Sequence, residues 1–390
     1  MRFSDLTTLR VGGPVADPCE VRTRADLVDF VRAHPLADEP PDRGGAPVRP
    51  DTPVVQGARP VPDVLFVAGG SNLLVADDGF AGPVCLIRTR GIDWSGPDED
   101  GRVRVTVEAG EDWDAFVADT VDRGLSGLEA LSGIPGSVGA TPVQNVGAYG
   151  AEVADCLVEV RVLDRLTGEE RAMSPADLRF GYRTSLLKRS AGERGAVRYV
   201  VLAVTFALAA ADGAEAPTAP VRYSQLARAL GVELGERVRV DSVRTAVLDL
   251  RASKGMVLDP SDHDTWSAGS FFTNPILSLV DEHAGRAEAT DVLPAGAPAH
   301  PVSDPGTGQP DPDVVKTSAA WLIEHAGFGR GFRVGEGRAS LSTKHTLALT
   351  NRGGATAQDL VDLARRVRSG VQDEFGITLV PEPNLVGLSL

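Results

Sequence analysis

Two glycine-rich segments are the parts of this sequence whose residue types and spacing favour ligand binding. The first glycine segment, residues 68–74, reads AGGSNLL and follows a short apolar run. Glycine lets the backbone turn sharply and lets a ligand approach main-chain N–H groups, and Ser71 and Asn72 add side-chain donors. The segment suits a diphosphate, although a plain turn would explain the same residues.

The second glycine segment, residues 127–150, carries six glycines without a low-complexity repeat. Long irregular segments inside a compact domain usually have a function. The order of its glycines is not the G-x-G-x-x-G fingerprint of a Rossmann dinucleotide site. A dinucleotide bound by these two segments therefore requires a different fold.

The elements that must position these segments are interleaved strands and helices. Strands are predicted at residues 64–67, and where valines alternate with polar residues around Val103, Val105 and Val107 and around Val158, Val160 and Val162. Helices are predicted after a capping box at residues 23–26, from Trp113 to Gly124, after Ser242, and from Leu360 to Gly376. This mixture indicates an α+β or α/β fold. Residues 34–63 and 293–313, rich in Pro or Gly, are predicted loop insertions, and a domain boundary is predicted near 210–220.

Composition narrows the class of protein. The chain has 390 residues and a formal net charge of −15, and it has no Lys/Arg run, so no nucleic-acid partner is expected. It has no apolar run long enough to span a membrane and no signal peptide, so we expect no membrane partner. Three widely spaced cysteines match neither a disulfide framework nor a metal site. We predict a cytoplasmic protein, without a metal, that acts as a monomer.

Together with residues 8–13, TLRVGG, the two glycine segments resemble the FAD-binding half of the UDP-N-acetylenolpyruvoylglucosamine reductases. The stretch QNVGAYG at residues 144–150 is specific to that family. The resemblance implies an α+β chain whose two-subdomain FAD-binding fold is of the vanillyl-alcohol-oxidase (PCMH) type, followed by a C-terminal α+β substrate-binding domain. The implied domains are residues 1–90, 91–215 and 216–390.

The resemblance also implies which residues contact the flavin. They are Gly69, Gly70, Ser71, Asn72 and Leu73 of the first glycine segment and Gly133, Pro135, Gly136, Ser137, Gly139, Asn145, Gly147, Ala148, Tyr149 and Gly150 of the second. Oxidases of this fold often link the flavin to a histidine in the first loop. No histidine lies between Gly69 and Gly82, so non-covalent FAD is expected.

Further segments match the family in the same order along the chain. They are residues 180–188, 251–254 with 267–275, 316–323 and 379–384. The implied reaction has two halves: NADPH gives a hydride to FAD, and a hydride then passes to the enolpyruvyl methylene carbon of UDP-N-acetylenolpyruvoylglucosamine. The adjacent carbon gains a proton, for which Ser270 matches the donor; without the motif, Ser270 would be interpreted as a serine in a tight turn. Arg183 and Glu382 match the pair that polarises the substrate carboxylate and enolate.

Glu382 lies where the chain departs from the family pattern. The family commonly reads E-P-E-V, whereas residues 380–384 read VPEPN. We align Glu382 with the second glutamate because Gly387 then falls at the expected distance. A bare carboxylate would repel an enolate, so Glu382 must be protonated or bridged to a cation, and we expect it to be neutral when substrate is bound.

The resemblance assigns the substrate to a further set of side chains, Tyr182, Tyr223, Arg251, Lys254, Asn274 and Lys316. Lys254 would contact the UDP diphosphate, and Tyr223 would lie on a loop that closes over the UDP end. Without the resemblance, Arg251 and Lys254 would be explained by the dipole of the helix that they end.

Two other functions are compatible with the fold. A flavin oxidase acting on another alcohol or lactone is disfavoured by Ser270 and by the cations assigned to UDP. A non-enzymatic flavin or nucleotide-sugar binder is disfavoured because binding alone needs no proton donor. The sequence leaves open the preference for NADPH over NADH and the place where the nicotinamide binds.

Overall fold

The computed structural model describes residues 1–37, 62–191, 195–210, 218–281, 286–287, 293–302 and 309–390. Most of the predicted insertion at 34–63, part of that at 293–313 and most of the predicted boundary at 210–220 lie outside the described residues. Within the described ranges, no helix is long and apolar enough to cross a membrane.

The N-terminal part of the chain builds a small parallel sheet. Its elements are β1 (Val15–Val21), α1 (Arg24–Ala33), β2 (Leu65–Val67), β3 (Leu73–Val75) and β4 (Phe80–Ile87). β4 is the central strand, with β1 and β2 parallel to it on either side. The predicted capping box begins α1, since the Thr23 hydroxyl accepts the Asp26 N–H and the Asp26 carboxylate accepts the Thr23 N–H.

The middle of the chain builds an antiparallel sheet. Its elements are β5 (Ile92–Pro97), β6 (Arg102–Glu108), α2 (Trp113–Asp122), β7 (Leu125–Ser126), β8 (Gly147–Ala148), β9 (Ala151–Glu152), β10 (Leu157–Asp164), β11 (Glu170–Met173), α3 (Pro175–Leu178), α4 (Leu186–Arg189) and β12 (Tyr199–Ala210). The strand order is β11-β10-β12-β6-β5, and β7 also pairs with β12. The two predicted valine strands are β6 and β10, and the predicted helix beginning at Trp113 is α2, with its apolar face in the core.

In the described residues, the C-terminal part mixes short strands with four α-helices. Its elements are β13 (Thr218–Pro220), α5 (Ser224–Leu230), β14 (Arg237–Arg239), α6 (Val240–Ser253), β15 (Ile276–Ser278), β16 (Val280–Asp281), β17 (Arg286–Ala287), β18 (Val314–Lys316), α7 (Ala319–His325), β19 (Ala339–Leu341), β20 (Leu349–Asn351), α8 (Ala357–Phe375) and β21 (Asn384–Val386). α6 begins at Val240, before the predicted start, and the Asp241 carboxylate in its first turn accepts the Ser242 N–H. α8 ends at Phe375, and Gly376, the predicted stop, follows it with φ +70°.

Both ends of the chain connect the parts to one another. Leu9 and Val11 belong to the apolar core of the C-terminal part, whereas Phe3 packs with the parallel sheet. The last strand, β21, returns to pair in parallel with β3, which begins inside the first glycine segment. The chain ends therefore hold the C-terminal part against the glycine segments. The division at 90/91 and 215/216 stays a prediction, and its second boundary lies outside the described residues.

Candidate active site

The two glycine segments touch each other, and close backbone contacts explain two glycines of the first segment. A Cβ added to Gly69 would lie 2.5 Å from the Cα of Gly136, and a Cβ added to Gly70, which has φ +64°, would lie 1.8 Å from the Leu6 carbonyl oxygen. The Ser71 hydroxyl donates to the Pro135 carbonyl at 2.8 Å. A side chain at Gly69 would push the two segments apart, and one at Gly70 would push the first segment away from Leu6, so the glycines allow one continuous backbone surface.

Thr8 of the predicted N-terminal motif connects this surface to the C-terminal part. Its hydroxyl donates to the Ser267 carbonyl at 2.6 Å, and its N–H donates to the Gly70 carbonyl at 3.3 Å. One residue thus contacts both the first glycine segment and the loop that leads to Ser270. The motif at residues 8–13 therefore connects the first glycine segment to the C-terminal part of the chain.

Main-chain pairing brings Ser270 and Glu382 to the same place from positions far apart in sequence. The Glu382 N–H donates to the carbonyl of Phe271, the neighbour of Ser270, at 2.8 Å. Phe272 and Pro381 form an antiparallel bridge beside it. The Asn72 amide then donates to the Glu382 carbonyl at 3.3 Å, which adds the first glycine segment to this junction.

A cavity of about 480 Å³ lies where these segments meet. Its walls contain the following predicted site residues: Gly69, Gly70, Ser71, Asn72, Leu73, Pro135, Gly136, Ser137, Gly139, Gly147, Ala148, Arg183, Arg251, Ser270 and Glu382. The charged residues of its lining are Arg183, Lys188, Arg251 and Glu382. Three cations facing one carboxylate make the described lining positive inside a chain of net charge −15, and such a cavity favours an anionic ligand.

Arg183 and Glu382 form an ion pair on the cavity wall. Nε of Arg183 lies 3.3 Å from Oε1 of Glu382, and the two side chains are 25% and 12% exposed. The Arg183 backbone has φ +54°, unusual for a residue with a side chain, and its Nη2 donates to the Gly147 carbonyl at 3.2 Å. Glu382 is thus bridged to a cation. Such a bridge, or a proton on the carboxyl group, is what Glu382 needs in order to lie near an enolate.

Two further side chains in this network, Gln144 and Lys188, are absent from the predicted site. The Gln144 amide donates to Oε1 of Glu382 at 3.0 Å, and its oxygen accepts from Asn72 at 3.2 Å and from Lys188 at 3.4 Å. Both residues lie inside motifs that the sequence singled out. The sequence does carry a signal for Lys188. It is a second cation only five residues after Arg183, and one short turn between them brings the two close together. We call Arg183, Ser270 and Glu382, with Gln144 and Lys188, the reaction end of the cavity.

A second group of predicted residues lies apart from the cavity lining. The rings of Tyr149 and Tyr223 meet edge to face with centroids 5.8 Å apart, and the Lys254 ammonium lies 5.6 Å from the centre of the Tyr149 ring. Lys254 also donates to Oε1 of Gln225 at 2.7 Å. We call Tyr149, Tyr223, Gln225 and Lys254 the outer cluster. Tyr149 is therefore beside two residues predicted to bind substrate, although the resemblance assigns it to the flavin.

Tyr182, Asn274 and Lys316 form a third group. The Lys316 ammonium lies 4.4 Å from the centre of the Tyr182 ring, and the Asn274 N–H donates to the Tyr182 hydroxyl at 3.3 Å. Burial raises the pKa of the Tyr182 hydroxyl and lowers that of the Lys316 ammonium. Arg183 follows Tyr182 in sequence, so this group lies next to the reaction end.

The remaining predicted residues have mainly structural contacts. The Asn145 amide donates to Glu152 at 2.6 Å, and the Gly133 N–H donates to Asp114 at 2.6 Å. A Cβ at Gly150 would lie 2.9 Å from the Arg222 side chain. These three residues, like Tyr149, shape the second glycine segment outside the cavity lining.

The cavity suits a flavin dinucleotide in three respects. Backbone atoms of two glycine segments leave room for a ligand to approach their N–H groups. Apolar side chains such as Leu65, Val67 and Ile134 supply walls for an aromatic ring system. The buried Nε of Arg251, on the cavity wall, has no hydrogen-bond partner among the described residues, so a ligand oxygen would satisfy it.

Known proteins match both halves of the chain. Residues 58–174 match the family model described as an FAD binding domain. Residues 259–386 match the model described as the C-terminal domain of UDP-N-acetylenolpyruvoylglucosamine reductase. A relative of that name from Nocardia farcinica is 53% identical, and the alignment covers 100% of this chain and 90% of the relative.

The chain belongs to the UDP-N-acetylenolpyruvoylglucosamine reductase family.

Other members of the family extend this result. The Thermobifida fusca UDP-N-acetylenolpyruvoylglucosamine reductase is 49% identical, with 100% of this chain and 97% of the relative covered. The crystal structure of the Thermus caldophilus enzyme superposes with a TM-score of 0.56 at 26% identity, covering 99% of this chain and 97% of that one. These matches confirm the predicted α+β fold class, an FAD-binding fold joined to the C-terminal domain of this reductase family.

Proposed function

We propose that this chain is a flavin-dependent oxidoreductase that reduces UDP-N-acetylenolpyruvoylglucosamine to UDP-N-acetylmuramate with NADPH, a step of peptidoglycan precursor synthesis. Full-length relatives at about half identity carry the name of that reaction. The observation that carries the proposal is the convergence of Arg183, Ser270 and Glu382 on one cavity from three separate segments. The same cavity is walled by both glycine segments, so one space serves cofactor and chemistry.

FAD, when bound, supplies the chemistry of accepting a hydride from NADPH and giving one to the enolpyruvyl methylene carbon. The two glycine segments would hold it through main-chain N–H groups, and Arg251 would add a buried cation. Within the first glycine segment no histidine is available to form a covalent link, so FAD should be held by non-covalent contacts alone.

Arg183 and Glu382 would act on the substrate carboxylate. Arginine stays charged and can bind a carboxylate through two parallel hydrogen bonds. Hydride addition at the methylene carbon leaves negative charge on the adjacent carbon and its carboxylate, and preorganised positive charge lowers the energy of that state. Because Glu382 is bridged to Arg183 and accepts from Gln144, it can lie near this charge without being a bare anion.

Ser270 would supply the proton to the carbon next to the methylene. Ser270 lines the cavity, and its hydroxyl has no hydrogen-bond partner among the described residues. Gly269, with φ +71°, has open space where a Cβ would stand, so a substrate can approach closely. A serine hydroxyl is a weak acid, but it is a much stronger acid than the carbon that receives its proton.

The UDP portion would bind outside the reaction end. Lys254, Asn274 and Lys316 provide the polar and cationic side chains, and Tyr223 of the outer cluster is 44% exposed and so accessible to a ligand. Burial and the neighbouring Arg251 both lower the pKa of the Lys254 ammonium, and a bound diphosphate would counter this effect. A cytoplasmic location and a monomeric state remain predictions.

The proposal is tested by product formation. Purified protein should be yellow and should release FAD on heating or acid treatment. Without oxygen, NADPH absorbance should fall beyond the one equivalent that reduces the flavin only when UDP-N-acetylenolpyruvoylglucosamine is present, and mass spectrometry should show a product heavier by two hydrogens. NADPH-independent oxygen consumption with a sugar alcohol would instead indicate an oxidase, and colour that stays with the denatured protein would contradict the non-covalent assignment.

A further inference from the structure

Lys188 is a half-buried cation of the reaction end to which the resemblance assigns no role. It belongs to the short helix α4 and lines the cavity. Its ammonium donates to the Arg183 carbonyl at 3.2 Å and to Oε1 of Gln144 at 3.4 Å. No carboxylate in the described part of the chain lies within ion-pair distance of it. Burial lowers the pKa of the Lys188 ammonium, and the charge of Glu382, beyond ion-pair distance, opposes this effect only in part.

The first contact of Lys188 supports the backbone of Arg183. Arg183 has φ +54° within a tight loop closed by two main-chain hydrogen bonds between Gly181 and Thr184, at 3.1 and 3.2 Å. A residue with a side chain adopts this conformation only when its surroundings hold it there. The ammonium of Lys188 holds the carbonyl of that residue, and the Arg183 side chain then points to Glu382 and to the Gly147 carbonyl.

The second contact fixes the side chain of Gln144. Its Oε1 accepts from both Lys188 and Asn72, so the two donors determine which end of the amide is the oxygen. The NH₂ group must then face the other way, where it donates to Oε1 of Glu382 at 3.0 Å. Both groups that hold the Glu382 carboxylate, Arg183 and Gln144, are therefore themselves held by Lys188.

We propose that Lys188 is a positioning residue, which orients the Glu382 carboxylate by fixing the Arg183 turn and the Gln144 amide. The inference rests on the proposed function, because it concerns the step in which Arg183 and Glu382 act on the substrate. Lys188 would have no part in the reduction of FAD by NADPH. Its loss should therefore separate the two half-reactions.

The test is Lys188→Met, which keeps the length of the side chain and removes all its donors. The limiting rate at which substrate reoxidises the flavin should fall roughly 100-fold, the effect expected when reacting groups are displaced by about 1 Å. The rate at which NADPH bleaches the flavin should stay close to that of the parent. Lys188→Arg, which can still donate to a carbonyl and an amide, should recover part of the lost rate. The dissociation constant of the substrate for the oxidised enzyme gives a readout independent of turnover, and it should change much less than the reoxidation rate.

The matched control is Lys344→Met, since Lys344 is an exposed lysine paired with Asp262, away from the cavity lining. It should leave both half-reactions and the thermal midpoint unchanged. If Lys188→Met does not fold, Gln144→Leu should reproduce the same separation of half-reactions. The inference is overturned if Lys188→Met reoxidises like the parent, if Lys188→Arg recovers nothing, or if bleaching and reoxidation fall together. Failure of the parent itself to be reoxidised by the substrate would instead contradict the proposed function.

Discussion

The reaction end and the outer cluster differ in how firmly their side chains are held. At the reaction end, Glu382 is 12% exposed and has an ion pair to Arg183, a hydrogen bond from Gln144, and a main-chain hydrogen bond to Phe271. In the outer cluster, Tyr223 is 44% exposed, and among the described residues its ring meets one other aromatic ring, that of Tyr149. One region is a connected polar network, and the other is a set of pairwise contacts.

This difference matches what the two regions are proposed to do. Charge stabilisation in a transition state is strongest when the groups are fixed in place before the reaction, because no energy is then spent on reorienting them. An edge-to-face aromatic pair contributes only about 0.5–1.5 kcal/mol beyond the area that it buries, so Tyr223 can leave Tyr149 at small cost. The comparison suggests that the reaction end determines kcat and that the outer cluster determines KM for the UDP-sugar.

Ser270→Ala should give the largest effect on rate. A small effect would contradict the assignment of kcat to the reaction end. Removing a positioned general acid typically costs roughly 10²–10⁴-fold, so flavin reoxidation by the substrate should slow by that factor. Bleaching by NADPH moves only a hydride and should be nearly unchanged. Stopped-flow absorbance measures both rates.

Ser270→Cys is the matched variant, because a thiol can also give a proton and should restore part of the rate. A misfolded variant would lose FAD and both half-reactions together, so the split between them identifies a chemical role. If Ser270→Ala reoxidises as fast as the parent, the proton comes from another source.

Lys254→Ala should have a smaller effect, confined to binding. A partly exposed cation that contacts the diphosphate equally in ground and transition states contributes uniform binding, so KM for the UDP-sugar should rise about tenfold with kcat little changed. KM for NADPH should hardly move. Steady-state kinetics with each substrate varied in turn provides the measurement, and Lys344→Ala is the control. Equal rises in the KM values for the UDP-sugar and for NADPH would contradict the assignment of Lys254 to the diphosphate.

Asp114→Asn should give the smallest effect, a loss of stability. It tests a contact that lies outside both the reaction end and the outer cluster. The Asp114 carboxylate binds Arg244 of α6 at 2.7 and 3.0 Å and accepts the Gly133 N–H, so it joins the second glycine segment to the helix that carries Arg251. Asparagine keeps an acceptor for Gly133 and loses the charge. Thermal unfolding at neutral pH should show a loss of about 1 kcal/mol, the upper end for a pair still partly open to water.

The pH dependence of that difference has a definite sign. Burial raises the pKa of the Asp114 carboxyl, but Arg244 and the Gly133 N–H outweigh burial, and the net pKa is below its usual value. The stability that Asp114 contributes is therefore complete above about pH 4 and is lost as the pH falls through the lowered pKa. Parent and Asp114→Asn should converge in acid. Asp119→Asn on the same helix, which breaks only an exposed pair with Arg123, is the control.

The sequence predicts the cavity walls and three residues of the reaction end, Arg183, Ser270 and Glu382, better than the contacts that connect them. Glycines that allow close backbone contact leave a local signal, and Arg183, Ser270 and Glu382 lie in ordered motifs. The contact of Gln144 with Glu382 joins residues 238 positions apart, so no local pattern could reveal it. The Asp114–Arg244 pair, 130 positions apart, is likewise a product of packing.

The direction of a side chain is the other property that the sequence does not reveal. Tyr149 lies within the second glycine segment, whose neighbours Gly147 and Ala148 line the cavity. Its own backbone has φ +51°, and it follows Asn145 with φ +47°. Two left-handed residues so close together change the course of the chain, and the Tyr149 ring meets Tyr223 instead of the cavity.

The central claim is that one cavity serves both half-reactions through a bound flavin, and anaerobic mixing tests it most directly. The protein is first titrated with NADPH until its yellow colour is lost, and UDP-N-acetylenolpyruvoylglucosamine is then added without oxygen. The account predicts that colour returns fully, with one UDP-N-acetylmuramate formed for each flavin. A flavin that NADPH does not bleach, or that stays bleached until air is admitted, would contradict the account.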